Sequence, residues 1–281
     1  MVALLAADEE ALHGRPSLIA EGDLREWTSR TNLAEDSWLV EDGGELAAVG
    51  WFDVLPGEDA FAIGAVHPSR KGQGFGSGLV ERAEARAQHY GIARLHQFSF
   101  AQDEPAHELF LGRGYHEIRR FYEMAIELEE RPAVPSVEIE TLQVEEAEAF
   151  HAALDEAFQD HWEHHSWPFA EWWERQTRNP GFDPSLWFVI REGGEMVAVS
   201  RNEANRNGGG YVAAIGVRRP WRGKGYAKAL LLHTFREFYD RGMTRVTLGV
   251  DAENPTGATQ LYERVGMQAE QEHVFYEKRF A

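Results

Sequence analysis

Two short glycine-rich runs carry the most legible chemistry in this chain of 281 residues. One is Arg222-Gly223-Lys224-Gly225-Tyr226-Ala227, the other Lys71-Gly72-Gln73-Gly74-Phe75-Gly76. Each follows an apolar, strand-like stretch, ending at Val217 or Val66, and each opens an apolar helix. Glycine lets successive backbone N–H groups converge, and a helix N-terminus adds the positive end of its dipole. The predicted product is a pyrophosphate cradle with Arg222 and Lys224 close by. The pattern R-x-x-G-x-[GA] arises by chance at roughly one position in two thousand on average composition. One occurrence therefore says little, but two in the same strand-to-helix setting say much. A Walker A loop would need G-x-x-x-x-G-K-[ST], and a dinucleotide fingerprint would need a βαβ unit; neither is present.

The elements that position these loops follow from an internal repeat. Val66 and Val217 lie 151 positions apart, as do Gly74 and Gly225, and Gly91 and Gly242. Leu109-Phe110-Leu111-Gly112-Arg113-Gly114-Tyr115 answers Leu261-Tyr262-Glu263-Arg264-Val265-Gly266-Met267 at an offset of 152, so one single-residue indel is expected to explain the register. The seam lies in Glu129-Glu130-Arg131-Pro132-Ala133-Val134-Pro135, which predicts domains at 1–131 and 137–281. In the second copy the patterning predicts a strand at 137–142 and helices near 145–157 and 168–178. Strands near 187–192, 195–203 and 210–217 follow, then a helix over about 225–241, a strand at 244–251, a short helix at 255–265 and closing strands to 280. The first copy has only some 36 residues before its first clear strand, Ser37 to Glu41, and is expected to lack a full opening strand and two helices. The fold class is α/β (an α+β mixed sheet) in two tandem domains, each a sheet flanked by helices.

Composition narrows the function. Hydrophobic residues make up 43% and aromatic residues 12%, enough for a real core. There are 28 Lys and Arg against 47 Asp and Glu, a formal charge of −19, which disfavours nucleic acid and anionic membranes as partners. Cysteine is absent, which excludes disulfides, thiol nucleophiles and Cys-ligated metal. The start, MVALLAADEE, reads as neither signal peptide nor span, and no later stretch approaches the ~18 apolar residues a span needs. A cytoplasmic monomer or homodimer is expected.

On its glycine runs and on Asp251-Ala252-Glu253-Asn254-Pro255 through Met267, the chain resembles the GNAT superfamily of acetyl-CoA-dependent N-acetyltransferases, in tandem. The resemblance covers nearly all of the second copy and most of the first. It implies acetyl-CoA as cosubstrate, with its pyrophosphate at Arg222, Gly223, Lys224, Gly225, Tyr226 and Ala227. It further implies that the strand Ala213–Val217 splays from its neighbour, so that free backbone groups at Ile215, Gly216 and Val217 meet pantetheine and the acetyl carbonyl. Asn254 would contact CoA and Tyr262 would stand beside its sulfur. Matching positions in the first copy are Val66, Lys71, Gly72, Gly74 and Gly76.

The implied reaction is direct attack of an amine on a thioester. Backbone N–H groups around Val217 would stabilise the oxyanion. The Tyr262 phenol, of ordinary pKa about 10, could protonate a thiolate of about 8.5 to 9; a helix-packing aromatic is the other reading of Tyr262. Some tandem members carry a Glu at the start of the strand before the loop, where this chain has Tyr211. Glu203 is a candidate base, although exposed hairpin carboxylates are usually just solvated. The run Asp160-His161-Trp162-Glu163-His164-His165-Ser166-Trp167, followed by Glu171-Trp172-Trp173, is read as an acceptor wall. Asp160, His161, Trp162 and His164 would bind substrate, and Asp160 or a His would take the amine proton. The same run could serve the core, and zinc through His161 and His165 lacks an evident third ligand, so no metal is expected.

In the first copy Lys71 replaces Arg222, Phe110 replaces Tyr262 and Gln102 falls where Asn254 does. The expectation is an N-acetyltransferase acting on a small-molecule amine from its second copy, beside a degenerate first copy. The competing readings are a non-catalytic acyl-CoA sensor and an enzyme whose acceptor is a protein amine.

Overall fold

The computed structural model describes residues 1–281 except 30, 56, 163, 165, 180, 207, 255 and 281. The first copy runs α1 (Val2–His13), α2 (Glu21–Trp27), α3 (Leu33–Asp36), β1 (Ser37–Asp42), β2 (Glu45–Val54), β3 (Asp59–Val66), α4 (Phe75–Tyr90), β4 (Arg94–Phe100), α5 (Glu104–Gly112) and β5 (His116–Glu127). The second runs β6 (Glu140–Thr141), α6 (Ala147–Phe158), α7 (Phe169–Arg178), β7 (Phe188–Glu192), β8 (Glu195–Arg206), β9 (Gly209–Val217), α8 (Tyr226–Asp240), β10 (Arg245–Asp251), α9 (Ala258–Arg264) and β11 (Gln268–Arg279). No helix among the described residues is long and apolar enough to cross a membrane.

The chain forms two compact units that do not follow the seam at 131/137. Unit 1 comprises Met1–Tyr122, Asp251–Glu253 and Gln271–Ala281, and unit 2 comprises Glu123–Val250 and Asn254–Glu270. Strand order in unit 1 is β1-β2-β3-β4 and then β11 from Gln271 onward, and in unit 2 it is β5 from Glu123 onward and then β10-β9-β8-β7-β6. β11 pairs antiparallel with β4 from His273 opposite Phe100 to Arg279 opposite Arg94. Both sheets are mixed, because β3–β4 and β9–β10 are parallel whereas the hairpins are antiparallel.

In unit 2, α8 buries Leu230, Leu231, Thr234, Phe235 and Phe238, the i, i+1, i+4, i+5, i+8 stripe of a helix lying on a sheet. On α6 the buried positions are Ala147, Phe150, Ala153 and Ala157, and this helix packs on β8 and β9. In unit 1, α4 buries Leu79, Val80, Ala83 and Ala87, and α1 sets Leu4 and Leu5 against Val49, Trp51 and Ala65.

Four sequence expectations are corrected. The first copy does have opening helices, α1 and α2. Acidic Asp8-Glu9-Glu10 hides α1 from a periodicity reading, since Leu4 and Leu5 carry most of its packing. The strand expected at 137–142 shrinks to Glu140 and Thr141, the residues that find partners in Phe188 and Val189. One long strand, β11, replaces the closing strands. Finally, the register needs a second one-residue insertion. Trp51 pairs with Ile63 and Phe52 with Ala62, while Arg201 pairs with Ala214 and Asn202 with Val212. Ala213 is the extra residue.

Candidate active site

β9 is the strand on which the site is built. Ala213 has no partner on β8, so it forms a β-bulge, with the ladder locally interrupted around it. The bulge absorbs the insertion without turning the strand over. Ala214 and Gly216 face α6, whereas Gly210, also even-numbered, faces α8: a Cβ on Gly216 would lie 2.7 Å from the Ala157 Cβ, and one on Gly210 would overlap Phe238. Glycine at 216 is therefore what admits α6 to this part of the strand. On its other edge β9 pairs with β10 at Val246–Gly210 and Thr247–Tyr211, and among the described residues no further. From Val212 to Val217, through Ile215, that edge keeps backbone groups that β10 does not use. The bulge lies four residues before Val217, at the first residue of the segment Ala213–Val217 that was expected to splay.

Beyond β9 a single 3-10 turn, Arg219–Trp221, leads into the glycine loop. Gly223 and Gly225 have φ of 81° and 84°, the left-handed region that L side chains resist, and Gly225 caps α8. The first N–H groups of α8, from Tyr226 and Ala227 onward, have no carbonyl a turn earlier to bond. The cationic side chains are engaged elsewhere. Arg222 donates to the Val217 carbonyl (3.1 Å), the Ala157 carbonyl (3.0 Å) and Asp160 (2.9 Å), tying the end of β9 to the end of α6. Lys224 lies 3.0 Å from Glu192, which also accepts the Tyr226 hydroxyl. What the loop leaves open is backbone, and Arg222 braces β9 to α6 beside it. In unit 1 the loop has the same form: Gly72 and Gly74 have φ of 77° and 89°, and Gly76 lies in the first turn of α4 after Val66 ends β3.

Tyr262 is buried on α9, 7% exposed, and its phenol is pushed up to about 12, first by burial and then by Tyr211. It therefore stays protonated throughout the neutral range and offers a hydrogen-bond donor. Asn254 precedes α9 and turns the chain there, its Oδ1 accepting from the Thr256 N–H at 2.8 Å.

Two expected proton acceptors turn out to be otherwise occupied. Asp160 is held by Arg222 and Arg219, which keep its carboxyl below the usual range and leave it little appetite for an amine proton. Glu203 is buried rather than exposed, opposite Tyr211, and is bonded by Arg201 (2.7 Å), Arg206 (2.9 Å) and Asn179 (3.3 Å). His161 stacks on Phe158, ring centroids 4.3 Å apart. Trp162 is half-buried beside it. His165 lies outside the described residues, and the zinc pair with it.

A cavity of about 170 Å³ opens on the α6 side of β9. α6 lines it with His151, Leu154, Asp155 and Phe158, the following loop with His164 and Trp167, α7 with Trp172, and β9 with Ala214, the residue after the bulge. Of the four predicted acceptor residues, only His164 lines it. Asp155 is central: the His164 Nε2 is 3.0 Å from its Oδ1, and the Ser166 hydroxyl donates to its Oδ2 at 2.7 Å. Burial pushes His151 below the usual imidazole range, against the pull of Asp155 and Glu148, and its ring lies 4.7 Å from that of Trp172. Sequence reasoning missed His151 and Asp155. A helical projection carries the signal, since they are one turn apart and off the buried Phe150–Ala153–Ala157 stripe.

Comparison with known proteins bears on the whole chain. Residues 2–115 and 147–267 each match the acetyltransferase (GNAT) family. A mycothiol acetyltransferase of Thermobispora bispora is 29% identical over 279 residues, covering 92% of each chain. That of Thermobifida fusca is 29% identical over 263 residues, 84% of this chain and 80% of its own. Among solved structures, a GCN5-related N-acetyltransferase from Sphaerobacter thermophilus is 30% identical and superimposes with a TM-score of 0.87, covering 99% of this chain and 91% of that one. A tandem GNAT protein from the clavulanic acid biosynthesis pathway shares the fold at 16% identity, with a TM-score of 0.72 over 98% of this chain and 92% of its own. With both copies matched and a β-bulge, an open strand edge and a glycine-capped helix assembled in the second, the chain belongs to the GNAT family of N-acetyltransferases.

Proposed function

We propose that unit 2 transfers an acetyl group from acetyl-CoA to a small-molecule amine, and that unit 1 is not catalytic. The observation that carries this reading is a strand bulged at Ala213 against β8 and left open by β10 on its other edge, with Tyr262 buried in the same unit. The residues suit the cosubstrate: the β9 edge from Val212 to Val217 suits an amide-bearing arm, and the backbone of Gly223–Ala227 suits a pyrophosphate. Acetyl-CoA supplies the acyl group on a sulfur leaving group. Backbone N–H groups at the bulge would face negative charge developing on the acyl oxygen, preorganised before reaction. Tyr262, neutral because its phenol is raised, would donate to the departing sulfur. Arg222 would hold loop and strand in register rather than bind phosphate. Val66, Lys71, Gly72, Gly74 and Gly76 keep the loop in unit 1 without the bulge or the phenol.

The relatives named mycothiol acetyltransferases make a mycothiol-type acceptor a second reading, favoured by identity along most of the chain. Tyr211 sets this chain apart, since it stands where the resemblance places Glu in such tandem members. The test is incubation of the purified chain with acetyl-CoA and a panel of amines, following free thiol and acetylated product. Transfer lost in Tyr262→Phe but kept in a Gly74→Val chain supports the assignment to unit 2. Acetyl-CoA binding with no transfer to any amine would make the chain a sensor and overturn the proposal.

A further inference from the structure

We propose that the cavity beside Ala214 selects small primary amines with an apolar or aromatic body, that Asp155 receives the ammonium and that His164 accepts the proton it gives up. This deepens the acetyltransferase reading and rests on it. At about 170 Å³ the cavity is smaller than the roughly 300–1,000 Å³ of sites that enclose drug-sized ligands, so it suits a compact group. Phe158, Trp167 and Trp172 supply flat apolar walls, and Asp155 supplies the one carboxylate among the lining residues. A cation with an apolar tail matches that combination, because the carboxylate is set against aromatic faces that also attract cations. A polyhydroxylated amine would leave its hydroxyls against indole and phenyl rings, where they find few partners.

Asp155 and His164 place a carboxylate beside an imidazole at the cavity wall. The His164 Nε2 is shielded from solvent and lies 3.0 Å from Asp155 Oδ1, within charge-pair distance although it makes no hydrogen bond there. Ser166 occupies the other carboxylate oxygen and fixes its plane. The groups bearing on the pair are His151 on α6, Ser166 on the same loop and Arg175 on α7, whose guanidinium lies 4.1 Å from the Trp167 ring; β9 contributes uncharged Ala214. In the reaction the ammonium loses one proton to His164, and from there to solvent. The N–C bond then forms as the C–S bond breaks. Tyr262 protonates the sulfur and recovers its proton from the amide nitrogen, giving amide, thiol and one released proton.

Two measurements on the full chain test this. The first titrates phenethylamine and glucosamine by tryptophan fluorescence, with Trp167 and Trp172 in the cavity as reporters, and measures acetylation of both. Saturable quenching by phenethylamine and a kcat/KM at least tenfold above that for glucosamine are expected; the reverse preference overturns the proposal. The second compares Asp155→Asn, His164→Gln and, as a milder change, Ser166→Ala. Asp155→Asn should raise the amine KM at least tenfold with acetyl-CoA affinity within twofold. His164→Gln should lower kcat at least tenfold with acetyl-CoA affinity within twofold, and Ser166→Ala should move the same quantities less. Unchanged amine KM and kcat in folded Asp155→Asn and His164→Gln proteins overturn the assignment while leaving acetyl transfer intact. Absence of transfer to every amine by the parent chain instead overturns the underlying reading, and this one with it.

Discussion

Unit 1 pairs β2 with β3 without interruption, from Ala48 opposite Val66 to Val54 opposite Ala60, whereas unit 2 inserts Ala213 between the residues that answer Ala62 and Ile63. Both units open the next strand pair early, after Phe61–His96 in one and Tyr211–Thr247 in the other. Both keep the left-handed glycines of the loop. They part at the chemical groups. Phe110 stands in for Tyr262 and packs on Tyr115 and Tyr276, at centroid distances of 5.6 and 5.1 Å. Lys71 is clamped by Asp8 on α1 (2.8 Å) and by Asp103 at the start of α5 (3.0 Å), where Arg222 instead braces strand and helix. The glycine loop therefore reports a turn, not an activity. A bulge and a phenol distinguish unit 2, for which acyl transfer is proposed, from unit 1.

The contrast can be attacked directly. Tyr262→Phe gives unit 2 the aromatic of unit 1 and should cut kcat by roughly 10²–10⁴, the usual range for a positioned acid, with acetyl-CoA affinity kept. A rate within twofold of the parent, with chemistry shown to be limiting, would remove Tyr262 from the mechanism. Deleting Ala213 gives β9 the uninterrupted pairing of β3. Since unit 1 folds that way, the chain should keep its circular dichroism and lose about 10²–10³-fold in kcat, the scale of one lost oxyanion donor. Retained turnover in that deletion would mean the bulge is ornamental.

Gly225→Val tests the loop. A left-handed conformation costs an L residue roughly 1–2 kcal/mol, more when β-branched, so acetyl-CoA affinity in unit 2 should drop by about tenfold or more. The matching Gly74→Val should leave kcat within twofold, and a parallel loss of turnover would put unit 1 back into catalysis. The smallest expected effect is one of pH. The Tyr262 phenol titrates near 12 in the folded chain against about 10 when unfolded. Between those values the folded state holds a proton the unfolded state has lost, so this group's stabilisation is complete below about pH 10 and disappears as pH rises to 12. Tyr262→Phe should therefore flatten the fall of Tm over that window, and an identical slope in both proteins would contradict the buried phenol.

Much of this architecture was legible in local patterns. The helical stripes of α4 and α8, the hairpins and the loop glycines are set by residues within about a dozen positions of one another. So was the exchange of Tyr262 for Phe110. α1 was missed because its acidic stretch masks the short Leu4-Leu5 contact. The hold of Arg222 on Asp160 was not legible, because nothing in the sequence around Asp160 reveals a partner 62 positions on.

What the sequence by itself determined, then, was that there are two copies, where their loops turn, and which copy keeps the phenol, since each of these is written in residue type and short spacing. Only the tertiary structure decided that β11 pairs with β4, because nothing in an alternating strand names its partner. It also decided that Ala213 is the inserted residue, since a bulge is a relation between two strands and β9 alone does not contain it. And it brought His151, Asp155, His164 and Ala214 around one cavity, a convergence that depends on α6, its following loop and β9 packing together. Chemistry that needs three elements at one point is specified by the packing of all three.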